Sequence, residues 1–236
     1  MIRFDIIWLG QAGFIMAFDD FKVCVDPYLS DSVEAVEGMK RLIPPPFSPE
    51  ELDVDYILFT HDHLDHFDEV SIRRLADRQI TYIGPVSCIK RLAECNIHTG
   101  ILLERYGEVT INEQITVNAT YACHTEDSIG LLFQEKGRTT GGLYLTGDTG
   151  YSPKLAGIKL FQPDAMITCI NGKMGNMDYD SAARLAQEIG VKTAIPCHYG
   201  MFAENTQDPE KFRDALRQTD ICYQELRFME PFAMQL

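Results

Sequence analysis

The chain has 236 residues, of which 45% are hydrophobic and 24% are charged, an ordinary globular composition that excludes a disordered protein. Its formal net charge of −14 disfavours nucleic acid and anionic membrane surfaces as partners, since both carry negative charge themselves. Because no shift in composition marks a linker, we expect one domain over residues 1–236.

The cysteines and the first residues of the chain indicate the cellular compartment. The seven cysteines are scattered and form no C-x-x-C motif, which favours buried thiols in a reducing compartment. The opening residues lack the basic segment and cleavage site of a signal peptide, and no apolar run approaches the ~20 residues that span a bilayer. These features predict a cytoplasmic protein that binds neither nucleic acid nor membrane.

The first half of the chain predicts three strands, a proline-rich loop over 28–52, and then alternating strands and helices. The sequence GQAG separates the first two strands, and Asp19-Asp20 suits a hairpin turn before the third. The predicted strands are 4–9, 14–18, 21–25, 56–60 and 80–83. One helix is predicted to begin at Asp68, and another spans 85–95.

The second half predicts a series of strands followed by further alternation with helices. The predicted strands are 101–103, 114–121, 129–134, 142–145, 165–170, 193–196, 222–226 and 232–234. Helices are predicted from Ser152-Pro153 to about 161, over 180–189 before Gly190, and after the cap Asp208-Pro209. Antiparallel runs and strand–helix alternation in both halves predict an α/β fold of two sheets covered by helices.

The segment THDHLDH at 60–66 carries the strongest chemical signal. Three histidines and two aspartates lie within six residues, although the whole chain has only six histidines. His61 and His63 can point the same way on an extended exit from the strand, and Asp65 and His66 follow as the chain turns. Imidazole nitrogen and carboxylate oxygen suit zinc, manganese or iron. Without a cation, the charges on five such closely spaced side chains would repel one another, so we interpret the segment as a metal site.

Three more candidate ligands also follow predicted strands. His124 comes after 116–121, Asp148 lies in YLTGDTGYS, and His198 follows TAIPC, so all three lie where α/β folds place their sites. The sequence Gly-Asp-Thr-Gly is also common in turns that bind nothing. Asp148 is favoured as a ligand only because it directly follows a predicted strand. His98 follows a helix and is predicted to lie on the surface.

These residues predict two metal ions rather than one. The two ligand sets are His61 with His63 and His124, and Asp65 with His66 and His198. Asp148 can bridge the ions, because a carboxylate has two oxygens and paired ions lie ~3.5–4 Å apart.

The chain resembles the metallo-β-lactamase superfamily in its T-H-x-H-x-D-H segment at 60–66, followed in order by His124, Asp148 and His198. The resemblance covers essentially the whole chain. It implies an αββα sandwich, with two mixed sheets, helices on the outer faces and the metal site at one edge of the sheets. The ligand assignment implied by the family is the one given above.

Within the superfamily, the chain looks most like the L-ascorbate 6-phosphate lactonase group. The segments that carry this resemblance are WLGQAGF, DPYLSD, IGPVSC, GDTGYS and IPCHYGMF. The chain departs from the lactonase pattern in being shorter around 125–140 and after 170, and in having His124 where the lactonase has a carboxylate. The resemblance implies a hydrolase of a small ester or lactone, sugar-derived or phosphorylated.

The expected reaction is attack by a metal-bound hydroxide on a carbonyl carbon or a phosphorus. Asp65 would orient the hydroxide, so it is predicted to be catalytic as well as a ligand. Tyr199 is a second catalytic candidate, because it follows His198 and could hydrogen-bond an oxyanion. Asn171 and Lys173 are weaker candidates for contact with a substrate anion, and Arg41 is weaker still.

Two alternatives compete with this small-ester or lactone hydrolase. A metal-dependent phosphodiesterase would resemble the phospholipase D and tRNA-processing branches, but the net charge disfavours tRNA and no amphipathic membrane helix is evident. A non-catalytic metal-binding member is disfavoured by the intact ligand set. Other branches would need a C-terminal binding region or a flavodoxin domain, for which we see no residues. The oligomeric state is left open.

Overall fold

The structure is a computed structural model that describes residues 2–236. It contains two seven-stranded sheets with helices against them, which confirms the predicted α/β sandwich of two mixed sheets. Within the described residues, no helix has both the length and the apolar composition that crossing a bilayer requires.

Sheet 1 is built mainly from the first half of the chain. Its strands are β1 (Arg3–Gly10), β2 (Gly13–Ala17), β3 (Lys22–Val25), β4 (Tyr56–Leu58), β5 (Thr81–Gly84), β6 (Ile101–Leu102) and the C-terminal β14 (Pro231–Gln235). Their spatial order is β14-β1-β2-β3-β4-β5-β6. The pairs from β14 to β3 are antiparallel and those from β3 to β6 are parallel, so the pairing changes direction at β3.

Sheet 2 repeats this pattern with the second half of the chain. Its strands are β7 (Glu108–Ile111), β8 (Ile115–Tyr121), β9 (Ile129–Glu135), β10 (Leu143–Leu145), β11 (Ala165–Cys169), β12 (Thr193–Cys197) and β13 (Cys222–Tyr223). The strands lie in the order β13-β12-β11-β10-β9-β8-β7. Pairing is antiparallel from β7 to β10 and parallel from β10 to β13.

Helices cover the two outer faces. The α-helices are α1 (Ser32–Glu37), α2 (Glu69–Arg74), α3 (Val86–Glu94), α4 (Tyr179–Ile189) and α5 (Pro209–Leu216), and 3₁₀ helices span Pro49–Glu51 and Pro153–Phe161. Helices α2 and α3 pack with the outer face of sheet 1, and α4 and α5 belong to the larger core that also fills the space between the sheets.

Several elements differ from the predictions. The loop over 28–52 contains α1, which ends at Gly38 in the left-handed conformation, and the 3₁₀ helix Pro49–Glu51. The helix after Ser152 is of the 3₁₀ type. The strand predicted over 222–226 is limited to Cys222–Tyr223.

Strand β7 was not predicted, because only Ile111 of its four residues is fully buried. Its hairpin turn also uses Asn112 and Glu113 at positive φ rather than an Asn-Gly pair.

The inter-sheet core should dominate stability. Phe133 is fully buried there, so Phe133→Ala should lower the free energy of unfolding by about 3–5 kcal/mol through lost packing and a cavity. Chemical denaturation measures this change. Leu160, which is 78% exposed, is the control, and its substitution by alanine should change the free energy by less than about 0.5 kcal/mol. Equal losses for both variants would contradict this assignment of the core.

Candidate metal centre

The predicted ligands lie at one edge of the sandwich, where strands of both sheets end. The loop after β4 carries residues 61–66, whereas His124, Asp148 and His198 follow β8, β10 and β12. The turn before Asp148 depends on Gly147, which has φ +62 and would place a Cβ only 2.8 Å from the carbonyl oxygen of Ile129. Glycine therefore lets this turn pack closely against β9.

The structure brings all seven predicted ligand side chains together. Their possible ligand atoms form three overlapping groups, His61 with His63 and His124, His61 with His66 and Asp148, and Asp65 with His66 and His198. Within each group these atoms lie within 4.8 Å of one another. Because two groups share His61 and two share His66, the groups form one continuous cluster.

Hydrogen bonds fix which nitrogen of each buried histidine is available as a ligand. His66 Nδ1 lies 2.8 Å from Asp26 Oδ2, and a carboxylate can only accept, so Nδ1 donates. Thr60 Oγ1 donates its single proton to the same Asp26 oxygen at 2.6 Å and therefore accepts from His61 Nδ1 at 3.1 Å. Nδ1 is therefore the donor in both histidines, which leaves Nε2 as the nitrogen that can bind a metal when it is unprotonated.

Three buried polar atoms of the cluster have no hydrogen-bond partner, namely His61 Nε2, His66 Nε2 and Asp148 Oδ1. These three residues form one of the ligand groups. A buried polar atom without a partner costs roughly 1–3 kcal/mol, so such atoms are rarely left unsatisfied. Divalent cations bound by the cluster would satisfy these atoms, and the residues present therefore fit a metal.

Opposing charges act on the pKa values of the cluster. Burial and positive charge on His66 lower the pKa of His61 well below its usual value, which keeps this ring neutral. At His198, burial alone would lower the pKa, but Asp148 and Asp65 outweigh it and raise the pKa to about 9. Burial disfavours ionised Asp148, yet His198 and His66 hold its pKa well below the usual range. Protons thus balance the carboxylates in the absence of a cation, and a bound metal would displace them.

Two carboxamides that sequence reasoning missed hold the carboxylates of the cluster. Gln11, which is fully buried, donates from Nε2 to Asp65 Oδ2 at 2.8 Å and lies 3.1 Å from His198 Nε2. Asn176 donates from Nδ2 to Asp148 Oδ2 at 2.7 Å. Each amide thus satisfies one carboxylate oxygen, and Asp148 Oδ1 remains without a hydrogen-bond partner.

Three residues support the ligands, namely Gln11, Asp26 and Asn176, and the sequence contains a usable signal for only one of them. Asp26 directly follows the predicted third strand, which is the same position that favoured Asp148 and His198 as ligands. Gln11 lies in a GQAG turn and Asn176 in a glycine-containing loop, where polar residues are ordinary. Neither of these two patterns distinguishes a site residue from a turn residue.

Tyr199 does not join the cluster. Its ring packs on Trp8 with centroids 4.9 Å apart, and burial together with the nearby Glu225 raises the pKa of its hydroxyl well above the usual value. Within residues 2–236 it makes no hydrogen bond or ring contact with the seven ligand residues. His198 has φ +60, so the backbone kinks between these consecutive side chains.

The weaker candidates Asn171 and Lys173 contact a neighbouring loop. Asn171 is buried and donates to Asn205 Oδ1 at 2.6 Å, and Lys173 donates to the carbonyl oxygen of Glu204 at 2.8 Å. These bonds tie the loop after β11 to the loop after β12. The two residues thus help to hold the loops around the cluster.

Arg41 and His98 lie outside the cluster. Arg41 is buried over the ring of Tyr28, 4.5 Å from its centroid, and donates to the carbonyl oxygens of Tyr28 and Ser30. It therefore secures the loop over 28–52. His98 is exposed, as expected for a surface residue.

Comparison with known proteins identifies the family of the chain. The chain matches the Beta-lactamase superfamily domain over residues 22–199. It is 31% identical to a UPF0173 metal-dependent hydrolase of Methanosarcina barkeri, over 92% of each chain, and 28% identical to one of Methanopyrus kandleri, over 96% of each. A metallo hydrolase from Ignicoccus hospitalis shares the fold with a TM-score of 0.81 at 18% identity, over 99% of both chains. The chain belongs to the metallo-β-lactamase superfamily and, within it, to the UPF0173 metal-dependent hydrolases.

Proposed function

We propose that the protein is a dinuclear metal-dependent hydrolase of a small ester or lactone. The observation that carries this proposal is the convergence of seven nitrogen and oxygen ligands in three overlapping groups, with three buried ligand atoms left unpartnered. His61, His63 and His124 would hold one ion, Asp65, His66 and His198 the other, and Asp148 would bridge them. Zinc, manganese and iron all suit a ligand set without thiolate.

The chemistry follows from the residues that surround the ions. When bound, divalent ions lower the pKa of water toward neutrality and polarise the oxygen of the electrophile. Gln11 donates to Asp65 Oδ2. The other carboxylate oxygen, Oδ1, would accept a hydrogen bond from the attacking water and orient it. Asn176 holds Asp148 in the same way. Tyr199 is given no catalytic role, because its hydroxyl makes no hydrogen bond to the cluster among the described residues.

A polar cleft beside the cluster supports a small-molecule substrate. It has a volume of about 720 Å³ and is lined by Asp62, which lies between two ligands, and by Thr125, which follows another. Its wall carries more negative than positive charge, which suits a polar, uncharged sugar derivative better than an apolar or anionic molecule; the charged lining residues are Asp62, Lys90, Arg91, Glu94, Glu126 and Asp127. The net charge of −14 still disfavours a nucleic acid as substrate.

We also propose a cytoplasmic location. All seven cysteines lie within residues 2–236 and are free, and five of them are buried. Burial raises the pKa of the Cys88 and Cys197 thiols well above the usual value, which makes them unreactive. Inert, unpaired thiols are typical of a reducing compartment.

Metal binding should occur with two ions per chain and should stabilise the fold. Ions at 100 times their dissociation constant would add about 2.7 kcal/mol per site to the free energy of unfolding, because they bind only the folded cluster. Metal analysis of fully loaded protein gives the stoichiometry, and thermal unfolding before and after chelation gives the stabilisation. His98→Ala should bind both ions normally. A single ion in fully loaded wild-type protein would exclude the dinuclear arrangement.

Asp65 should matter more for turnover than for folding. Asp65→Asn removes the negative charge that orients the attacking water, so we expect kcat to fall by about 10²–10⁴-fold, as for other lost acid–base groups. Steady-state kinetics on metal-loaded protein measures this loss, and circular dichroism checks the fold. His98→Asn is the matched control and should keep wild-type kcat. Near wild-type turnover by Asp65→Asn would refute the orienting role.

The substrate class is tested by comparing kcat/KM for a panel of sugar lactones and small esters with that for an aryl phosphodiester. Both measurements use the same metal-loaded preparation, and Asp65→Asn protein reports contaminating activity. We expect a lactone or ester to be the better substrate. If the phosphodiester is preferred by a wide margin, the protein is instead a metal-dependent phosphodiesterase. If metal-loaded protein hydrolyses none of these compounds, the ester and lactone proposal fails.

A further inference from the structure

Two different parts of the fold support the two ligand sets. Asp65 and His198 are held from the turn between β1 and β2, whereas the loops that carry His63 and His124 are held by helix α3. No hydrogen bond joins the supporting side chains of the two sides among the described residues. This separation suggests that each ion has supporting hydrogen bonds of its own, besides those that Asp26 and Thr60 give to His66 and His61.

Gln11 joins the two ends of the Asp65–His66–His198 set. Its backbone oxygen accepts hydrogen bonds from His198 N at 2.9 Å and from Trp8 Nε1 at 3.0 Å, which fixes its main chain. Its side chain then reaches Asp65 Oδ2 at 2.8 Å. Because the carboxylate only accepts, the amide nitrogen must face Asp65, and Gln11 Oε1 is left buried without a partner.

Helix α3 joins the two loops of the His61–His63–His124 set. At its first turn, the backbone N–H and the Oγ of Ser87 donate to the two carboxylate oxygens of Asp127, at 2.7 and 3.0 Å. Asp127 is three residues beyond His124. At the other end, the Arg91 guanidinium packs over Phe67 and donates to the carbonyl oxygen of Asp62, which lies between two ligands.

We propose that Gln11 is a positioning residue for the ion held by Asp65, His66 and His198, and that Asp127, docked on Ser87 of α3, positions the ion held by His61, His63 and His124. The affinity for each ion can therefore be lowered separately. This inference rests on the proposed dinuclear function. It concerns metal affinity, and it is carried by hydrogen bonds from residues that are not themselves ligands.

The test measures Zn²⁺ affinity by competition with a chromophoric chelator, using proteins in which one ion set is disabled. His124→Ala leaves the Asp65–His66–His198 set, and His198→Ala leaves the other. In the His124→Ala protein, Gln11→Met should raise the dissociation constant by about 10–100-fold, as for other lost partners of metal ligands. In the His198→Ala protein, the same change should raise it by less than about threefold.

Asp127→Ala should show the opposite selectivity, with the larger loss in the His198→Ala protein. The matched controls are Gln218→Met and Asp220→Ala, which change exposed residues of the same types and should leave both affinities unaltered. Circular dichroism and thermal unfolding establish that each variant is folded. If Gln11→Met does not fold, Gln11→Leu also removes the amide donor without adding a charge, and the same selectivity is expected.

The outcomes separate this inference from the proposed function. Wild-type protein that binds only one Zn²⁺ would refute the dinuclear arrangement and with it the premise of two sets. Wild-type protein that binds two ions, while Gln11→Met weakens both single-set proteins equally, would refute the positioning roles alone. Loss confined to the Asp65–His66–His198 set supports the role of Gln11.

Discussion

The buried carboxylate of Asp26 is the interaction on which the metal centre depends. It lies at the end of β3, where pairing in sheet 1 changes from antiparallel to parallel, and it is only 1% exposed. It accepts hydrogen bonds from the backbone and hydroxyl of Thr60 and from His66 Nδ1, at 2.6 to 2.8 Å. This one side chain fixes the start of the loop over 61–66, the tautomer of His66 and, through Thr60, the tautomer of His61.

The metal ligands could be predicted from the sequence because their chemistry is concentrated. Four of them lie within residues 61–66, and the others follow apolar strands, where α/β folds bring strand ends to a common edge. The two-sheet fold could be predicted because strand and helix periodicities alternate in both halves of the chain. Strand β7 could not, since its buried positions are few and a neighbouring strand decides its pairing.

Gln11 could not be predicted in the same way, because its role depends on a backbone conformation that sequence patterns do not reveal. Gln11, Asp26 and His198 all have positive φ, between 45° and 60°, a region that non-glycine residues rarely adopt. At Gln11 this conformation turns the side chain toward Asp65. At His198 it turns the ligand side chain away from Tyr199. The two residues are adjacent in the sequence, but for this reason they do not share a site in the structure.

Each ligand set takes residues from both sheets. His124 and His198 belong to sheet 2, whereas residues 61–66 extend from sheet 1, so either ion would connect the two sheets at the same edge. Local opening of that edge would break bonds to both ions together, and ions in place would suppress such opening. Amide hydrogen exchange near the ends of β4 and β12 would then be slower in metal-loaded protein than in metal-free protein. At the opposite end of the sandwich, which holds none of the ligands, exchange rates would not depend on metal.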